Sequence, residues 1–180
     1  MKKYIALLRG INVGGKNKVS MKELKELIEN QGYLDVSTYI NSGNMIFSSD
    51  NADIESLIKH FNAFILNHFK LDLSVMVISA DELTEALSHA PDWWDADKTS
   101  KHNTIFVIPP MTADAVMKEV GDAKPEYEKV SSFGRMIFWS APLETFSRTR
   151  WSKVVGKAVY SNITIRNANT AKKLMEMCAE

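Results

Sequence analysis

Apolar residues fall into short runs and helical stripes along the whole chain. Lys3 to Arg9 encloses Tyr4-Ile5-Ala6-Leu7-Leu8, a strand-like run, and a loop rich in Gly, Asn and Lys follows it. Met21, Leu24, Leu27 and Ile28 then recur at the spacing of one helix face. The start of this helix is written in Ser20 with Glu23 three residues on, a capping box, and in Val19, which can staple against Leu24. Gly32 supplies a left-handed stop. Val36 to Ile40 and Met45 to Ser48 are predicted strands around Asn41-Ser42-Gly43-Asn44, residues that tolerate the positive φ of a hairpin turn. Ile54, Leu57, Ile58, Phe61 and Ile65 mark a second amphipathic helix, and Leu73 to Ile78 a fourth strand.

That order is β-α-β-β-α-β, a split βαβ or ferredoxin-like unit. Ser79 with Glu82 repeats the capping box, Ile78 with Leu83 repeats the staple, and a short helix runs to His89. Ala90 to Lys101, with Pro91, Trp93, Trp94 and three aspartates, has the composition of a connector. A second series follows: a strand over Thr104 to Ile108, a helix opened by Pro109-Pro110 and Thr112 and ending near Val120, and strands over Tyr127 to Val130 and Met136 to Trp139. The last two strands flank a turn at Ser132-Phe133-Gly134-Arg135. Residues 142–160 are predicted mostly helical, Ile163 to Arg166 a strand, and Ala171, Leu174, Met175 and Cys178 the stripe of a terminal helix. The expected fold class is α+β, two ferredoxin-like subdomains in tandem with extra helices: 1–90, a connector 91–101, and 102–180. Element order alone carries the duplication, since no residue-level repeat accompanies it.

Composition narrows the function. With 180 residues, 45% apolar, 24% charged and 13 Gly plus Pro, the chain can bury a real core and is neither fibrous nor disordered. One cysteine excludes an internal disulfide and a multi-cysteine zinc site. Lys and Arg balance Asp and Glu at 22 each, which excludes a globally basic nucleic-acid coat. The charge is segregated nonetheless: residues 1–22 hold Lys2, Lys3, Arg9, Lys16, Lys18 and Lys22 and no acid, whereas Asp81 to Asp97 holds six acids and no base. No apolar run approaches membrane-spanning length and no signal-like segment opens the chain, so a cytoplasmic protein with no membrane partner is expected.

Tyr4-Ile5-Ala6-Leu7-Leu8-Arg9-Gly10-Ile11-Asn12-Val13-Gly14-Gly15-Lys16-Asn17, then Met21, Thr38-Tyr39-Ile40-Asn41-Ser42-Gly43-Asn44, and Arg166-Asn167 with Asn169-Thr170 resemble the bacterial family known as domain of unknown function 1697. The resemblance spans nearly the whole chain. It implies a small cytoplasmic α+β protein of duplicated ferredoxin-like topology, without an established activity, cofactor or substrate. Ala168 stands where that family usually carries tryptophan.

The first and second strands of a β-α-β-β unit run the same way, so the loop leaving one and the hairpin leaving the other emerge at one sheet end. Gly14, Gly15, Lys16 and Asn17 are thereby expected near Asn41, Ser42, Gly43 and Asn44, with Arg9 at the strand end and a helix N-terminus facing the same space. Glycine turns, amides and cations in one place suit a phosphate or carboxylate. The same residues also serve as plain turn formers, so both uses stand at this point. Arg166 and Asn167, with Asn169 and Thr170, form a second polar cluster at a strand-to-helix junction, where the asparagines and threonine are also ordinary caps.

Gly10 to Lys16 spells G-x-x-x-x-G-K, but Asn17 replaces the Mg²⁺-holding Ser or Thr and the helix begins only after Ser20, so a nucleotide-binding P-loop is excluded. His60, His68, His89 and His102 lack metal spacing and are expected at the surface or partly buried, and Cys178 on an apolar stripe is expected inert. Arg148, Arg150, Lys153 and Lys157 suit a solvated helix face, and one of Trp93 and Trp94 is free to be a platform. The leading expectation is a binding module for a small phosphorylated or carboxylated ligand, with no cofactor and no metal. An RNA-binding module is an alternative drawn from fold analogy, against which the aromatic RNA-recognition strand pattern is absent. An enzyme of unknown class using the same cleft is the other. Nucleic acid is not the expected partner, and oligomeric state is not legible.

Overall fold

The structure, a computed structural model, describes all residues from Met1 to Glu180. Contacts divide the chain into two compact units, Met1–Leu83 with Leu174–Glu180, and Thr84–Lys173. Each contains one four-stranded antiparallel sheet.

In the first unit β1 (Lys2–Leu8) is followed by α1 (Met21–Glu29), β2 (Leu34–Tyr39), β3 (Asn44–Ser49), α2 (Ile54–Phe69) and β4 (Val75–Ser79). The strands lie in the order β2-β3-β1-β4. Tyr4 to Leu8 of β1 are all buried, which is why this strand is continuously apolar rather than alternating. Leu24 and Ile28 of α1 and Leu57, Phe61 and Ile65 of α2 are buried as their stripes require, although Leu27 is only half-buried. Phe47 on β3 meets Phe61 at 5.0 Å and Tyr4 at 5.7 Å between ring centres. Ser20 caps α1 by accepting from Glu23 N at 3.2 Å, and Asp53 caps α2 by accepting from Glu55 N and Ser56 N.

The second series runs from α3 (Ala80–Ser88), which crosses the division between the units, through β5 (Ser100–Val107), α4 (Ala113–Val120), β6 (Lys129–Phe133), β7 (Met136–Pro142) and β8 (Ile163–Asn167) to α5 (Ala168–Ala179). Its strand order is β6-β7-β5-β8, the order of the first sheet repeated. The Ser79–Glu82 capping box is reciprocal: Glu82 N donates to Ser79 Oγ and Ser79 N to the Glu82 carboxylate, both at 3.2 Å. Thr112 caps α4 as predicted, accepting from Ala115 N at 3.2 Å. β5 starts earlier than predicted because Asp97 turns the chain, its carboxylate accepting from Thr99 N at 2.8 Å and Ser100 N at 2.7 Å.

Residues 142–160 are mostly helical as predicted, but not as an α-helix. They form three short 3₁₀ segments, Phe146–Arg148, Trp151–Gly156 and Ala158–Asn162. The cause is Glu128, whose buried carboxylate accepts from Arg150 N at 2.8 Å and Trp151 N at 3.2 Å, taking two amides that an α-helical ladder would have needed. Arg148, Lys153, Lys157 and Tyr160 donate instead to the carbonyls three residues back. Trp151 and Val154 still reach the core of this unit, beside Ile105, Val116, Ile137 and Ile163. Arg148, Arg150, Lys153 and Lys157 therefore do not share one helix face. The Arg148 guanidinium lies 5.8 Å over the Tyr127 ring, and Arg150 packs against Gly121.

Candidate functional site

Leu7 pairs with Asn44 and Leu8 with Val75, so the C-terminal end of β1, the β2–β3 hairpin and the start of β4 share one end of the first sheet. The loop over 9–20 and the hairpin over 40–43 are joined there by one side chain. Asn12 Nδ2 donates to Asn41 O at 2.8 Å and to Val19 O at 2.9 Å, while Asn12 Oδ1 accepts from Val19 N at 2.9 Å. Asn12 holds φ +54, one of five left-handed residues in this loop with Gly10, Gly14, Gly15 and Asn17.

The two segments are thus together, but most of their polar groups are occupied by one another. Lys16 N donates to Val13 O at 3.0 Å and Asn12 N to Asn17 O at 3.1 Å; Asn17 Nδ2 donates to Gly10 O at 2.9 Å. In the hairpin Asn44 is buried, and its Nδ2 donates to Tyr39 O at 3.0 Å and Ser42 Oγ at 2.8 Å. Gly43, at φ +85, accepts from Leu8 N, and an added Cβ would stand 2.8 Å from Leu8 Cβ. Asn17, Asn44 and Gly43 are accordingly spent on shaping the turns, and Ser42 accepts within one. Arg9 is half-buried, its backbone N donating to Ser74 O at 3.1 Å.

A shallow cleft of about 590 Å³ opens where the segments meet α1, lined by Asn12, Gly15, Lys18, Val19, Ser20, Met21, Lys22 and Asn41. Of the expected site residues, Gly15 and Asn41 line it; Gly14, Lys16 and Asn17 are exposed in the same loop outside its wall. Lys18 and Lys22 take the place expected of Arg9 and Lys16. The first intrahelical bond of α1 is Leu24 N to Ser20 O, so the Met21 and Lys22 amides lie ahead of it, at the positive end of the helix dipole. Two lysines at that end are electrostatically costly by themselves; Glu23 in the first turn and Glu26, whose carboxylate lies 4.0 Å from Lys22 Nζ, offset part of that cost.

Arg166 and Asn167 belong to the second unit. Arg166 is buried and folded back along β8, Nη1 donating to Thr164 Oγ1 at 2.9 Å and Ile165 O at 3.0 Å, and burial lowers its guanidinium to about 10. Asn167 Oδ1 accepts from Thr170 N at 2.8 Å, a helix cap. Asn167, Ala168 and Asn169 line a second cleft, of about 730 Å³, with Asp95 to Lys98, Ser100 to His102 and Leu143. His102, expected at the surface or partly buried, is buried on its wall: Nδ1 lies 2.6 Å from Ser140 Oγ, and Nε2 lies 2.9 Å from Asp97 O and 3.7 Å from the Asp97 carboxylate. The carbonyl can only accept, so a neutral His102 carries its proton on Nε2 and accepts from Ser140 at Nδ1. Its signal in the sequence was position 102 opposite 140 in a strand pair, which is invisible without the register. Hydrogen bonds from Thr99, foremost its hydroxyl, hold the Asp97 carboxyl below the usual range.

Trp94 is buried, its Nε1 donating to Asn103 O at 3.0 Å and its ring meeting Phe138 edge-on at 5.2 Å. Lys172, ion-paired with Asp95, lies 5.6 Å over the Trp94 ring. Trp94 is therefore no platform, and Trp93 is half-buried. Cys178 is likewise half-buried rather than core; its carbonyl accepts from Lys3 Nζ at 3.1 Å, and burial raises its thiol.

Two four-stranded antiparallel sheets of the same strand order, with a lysine-flanked cleft at the loop end of the first, define the molecule as a two-sheet α/β protein. Residues 1–138 match the model of the protein family of unknown function DUF1697, and the chain belongs to that family. It is similar to the solved structure described as that of conserved bacterial protein SP0830 from Streptococcus pneumoniae, at 34% identity over 98% of each chain with a TM-score of 0.87. No curated protein matches the chain.

Proposed function

We propose that this protein is a binding module for a small phosphorylated or carboxylated ligand, taken up in the first unit's cleft by Lys18, Lys22 and the leading amides of α1. The observation that carries this is the pair of lysines at the positive end of a helix dipole, a placement that an anion would turn from costly to favourable. Asn12 and the turn asparagines hold the cleft open rather than grip the ligand, and Gly15 lets the backbone approach without a side chain in the way. We further read each unit as a ferredoxin-like half and the pair as a tandem duplication, on the strength of the repeated strand order, in a bacterial, cytoplasmic protein.

Thermal melting against inorganic phosphate, sugar phosphates, nucleotides and carboxylates tests the reading. A ligand at about 100 times its Kd stabilises by about 2.7 kcal/mol, a rise of several degrees. The Lys18→Ala/Lys22→Ala double variant is expected to fold normally and lose that rise, whereas Lys16→Ala keeps most of it. An equal rise in the double variant, or no rise with any member of the panel, sinks the proposal.

A further inference from the structure

The end of the first sheet that carries the cleft also carries apolar side chains turned to solvent. Val13 is 66% exposed in the 9–20 loop and Ile40 is 52% exposed at the hairpin, beside the residues joined by the Asn12–Asn41 bond. Leu66, 45% exposed, stands on the last turn of α2; Asn62, one turn earlier, accepts from Val75 N, which fixes that helix end to the same end of the sheet. Of the five large hydrophobic residues exposed in this unit, only Met1 and Leu34 lie elsewhere. Ile40 adopts φ +48, a costly conformation for a β-branched residue, and its side chain is not recovered by the core.

The charge at this end leans to the basic side. Lys16, Lys18, Lys22 and Lys70 stand there, with Arg9 half-buried beside them, against Glu23, Glu26 and Asp72; Glu26 lies 4.0 Å from Lys22, and Lys70 Nζ donates to Asn67 O at 2.8 Å. A Cβ added at Gly10, Gly14 or Gly15 would meet nothing within 4 Å, so these loop positions border open space. Separate aliphatic side chains among bases offer no amphipathic ridge for a protein groove and no aromatic stacking surface for a nucleic acid. They do complement a soft, negatively charged surface into which short aliphatic side chains can sink.

We infer that this end of the first unit docks peripherally on an anionic lipid bilayer, with Val13, Ile40 and Leu66 entering the interface and Lys16, Lys18, Lys22 and Lys70 facing lipid phosphates. No helix is long and apolar enough to cross a membrane, and none is required for such docking. The expectation of no membrane partner rested on the lack of a spanning run and does not bear on this mode. The inference shares Lys18 and Lys22 with the small-ligand reading of the cleft but does not depend on it.

Full-length protein sedimented with vesicles of phosphatidylcholine alone, or of phosphatidylcholine with about 30% phosphatidylserine, provides the test. Binding is expected only to the anionic vesicles, and it should weaken at least about tenfold when salt rises from about 0.05 M to 0.5 M, as the Debye length shortens. Val13→Asp with Ile40→Asn should lower the vesicle affinity by about tenfold or more. Because asparagine tolerates the left-handed conformation, melting of the Ile40→Asn single variant should be unchanged or higher. No binding, equal binding to neutral vesicles, equal binding by the double variant, or self-association that consumes this end would each overturn the inference. Retention on RNA abolished by the double variant would also overturn it, in favour of a different surface. Stabilisation by inorganic phosphate without vesicle binding overturns the docking and leaves the cleft reading standing; vesicle binding without any effect of phosphate does the reverse.

Discussion

The asparagines of the 9–20 loop and the hairpin look in the sequence like groups offered to a ligand, and at the level of single residues they are largely fasteners. Asn12 makes three hydrogen bonds of 2.8 to 2.9 Å that join two loops and sits at φ +54, where asparagine is tolerated and alanine is strained. At about 1 kcal/mol net per bond, plus about 1 kcal/mol for the left-handed backbone, Asn12→Ala should cost about 3 to 4 kcal/mol in urea unfolding. Asn12→Gly should recover about 1 kcal/mol of that, since only the strain is relieved. A loss below about 1 kcal/mol in the alanine variant would show that the loops do not depend on this side chain. Composition could place Asn12 in a turn; it could not show which carbonyls its amide would reach, because Asn41 is distant in sequence. The same limit hid Lys18 and Lys22, whose places on the cleft wall follow from how the loop enters α1.

At the scale of elements, what was legible followed local rules. The Ser20 cap, the reciprocal capping box at Ser79, the Thr112 cap, the Gly32 stop and the hairpin at Asn41 to Asn44 involve residues a few positions apart, and short-range chemistry decides them. That residues 142–160 are helical in broken 3₁₀ form follows from a partner elsewhere in the unit. Glu128 is 3% exposed and accepts four N–H groups, from Lys124, Trp139, Arg150 and Trp151, at 2.8 to 3.2 Å. No periodicity scan of 142–160 can see a carboxylate on the segment before β6. Glu128→Ala leaves those four donors without their acceptor in a buried place and is expected to cost about 4 kcal/mol or more in urea. Glu128→Gln keeps one acceptor oxygen but turns an amide against the other donors, so it should lose about half as much. The indoles of Trp139 and Trp151 report this region by fluorescence. A loss under about 1 kcal/mol in the alanine variant would mean the 3₁₀ segments are held by packing alone.

For the whole molecule, the balance of charge matters more than its sum. Lys and Arg equal Asp and Glu at 22 each and the isoelectric point is near 6.9, so at neutral pH nothing keeps copies apart by net repulsion. Meanwhile the first unit opens on a stretch of six bases without an acid, and Asp81 to Asp97 contributes six acids without a base. Patches of opposite sign on a molecule of zero net charge attract patches on its neighbours, and that attraction is strongest when the ionic strength is low. Solubility should therefore pass through a minimum close to pH 6.9 in about 0.01 M salt and rise on either side as net charge grows. Adding salt to about 0.15 M shortens the screening length to about 8 Å and should lift the minimum. Light scattering across pH at the two salt levels measures this directly. If scattering at pH 6.9 is indifferent to salt, association is apolar, and the exposed aliphatic side chains rather than the charge segregation govern how copies meet.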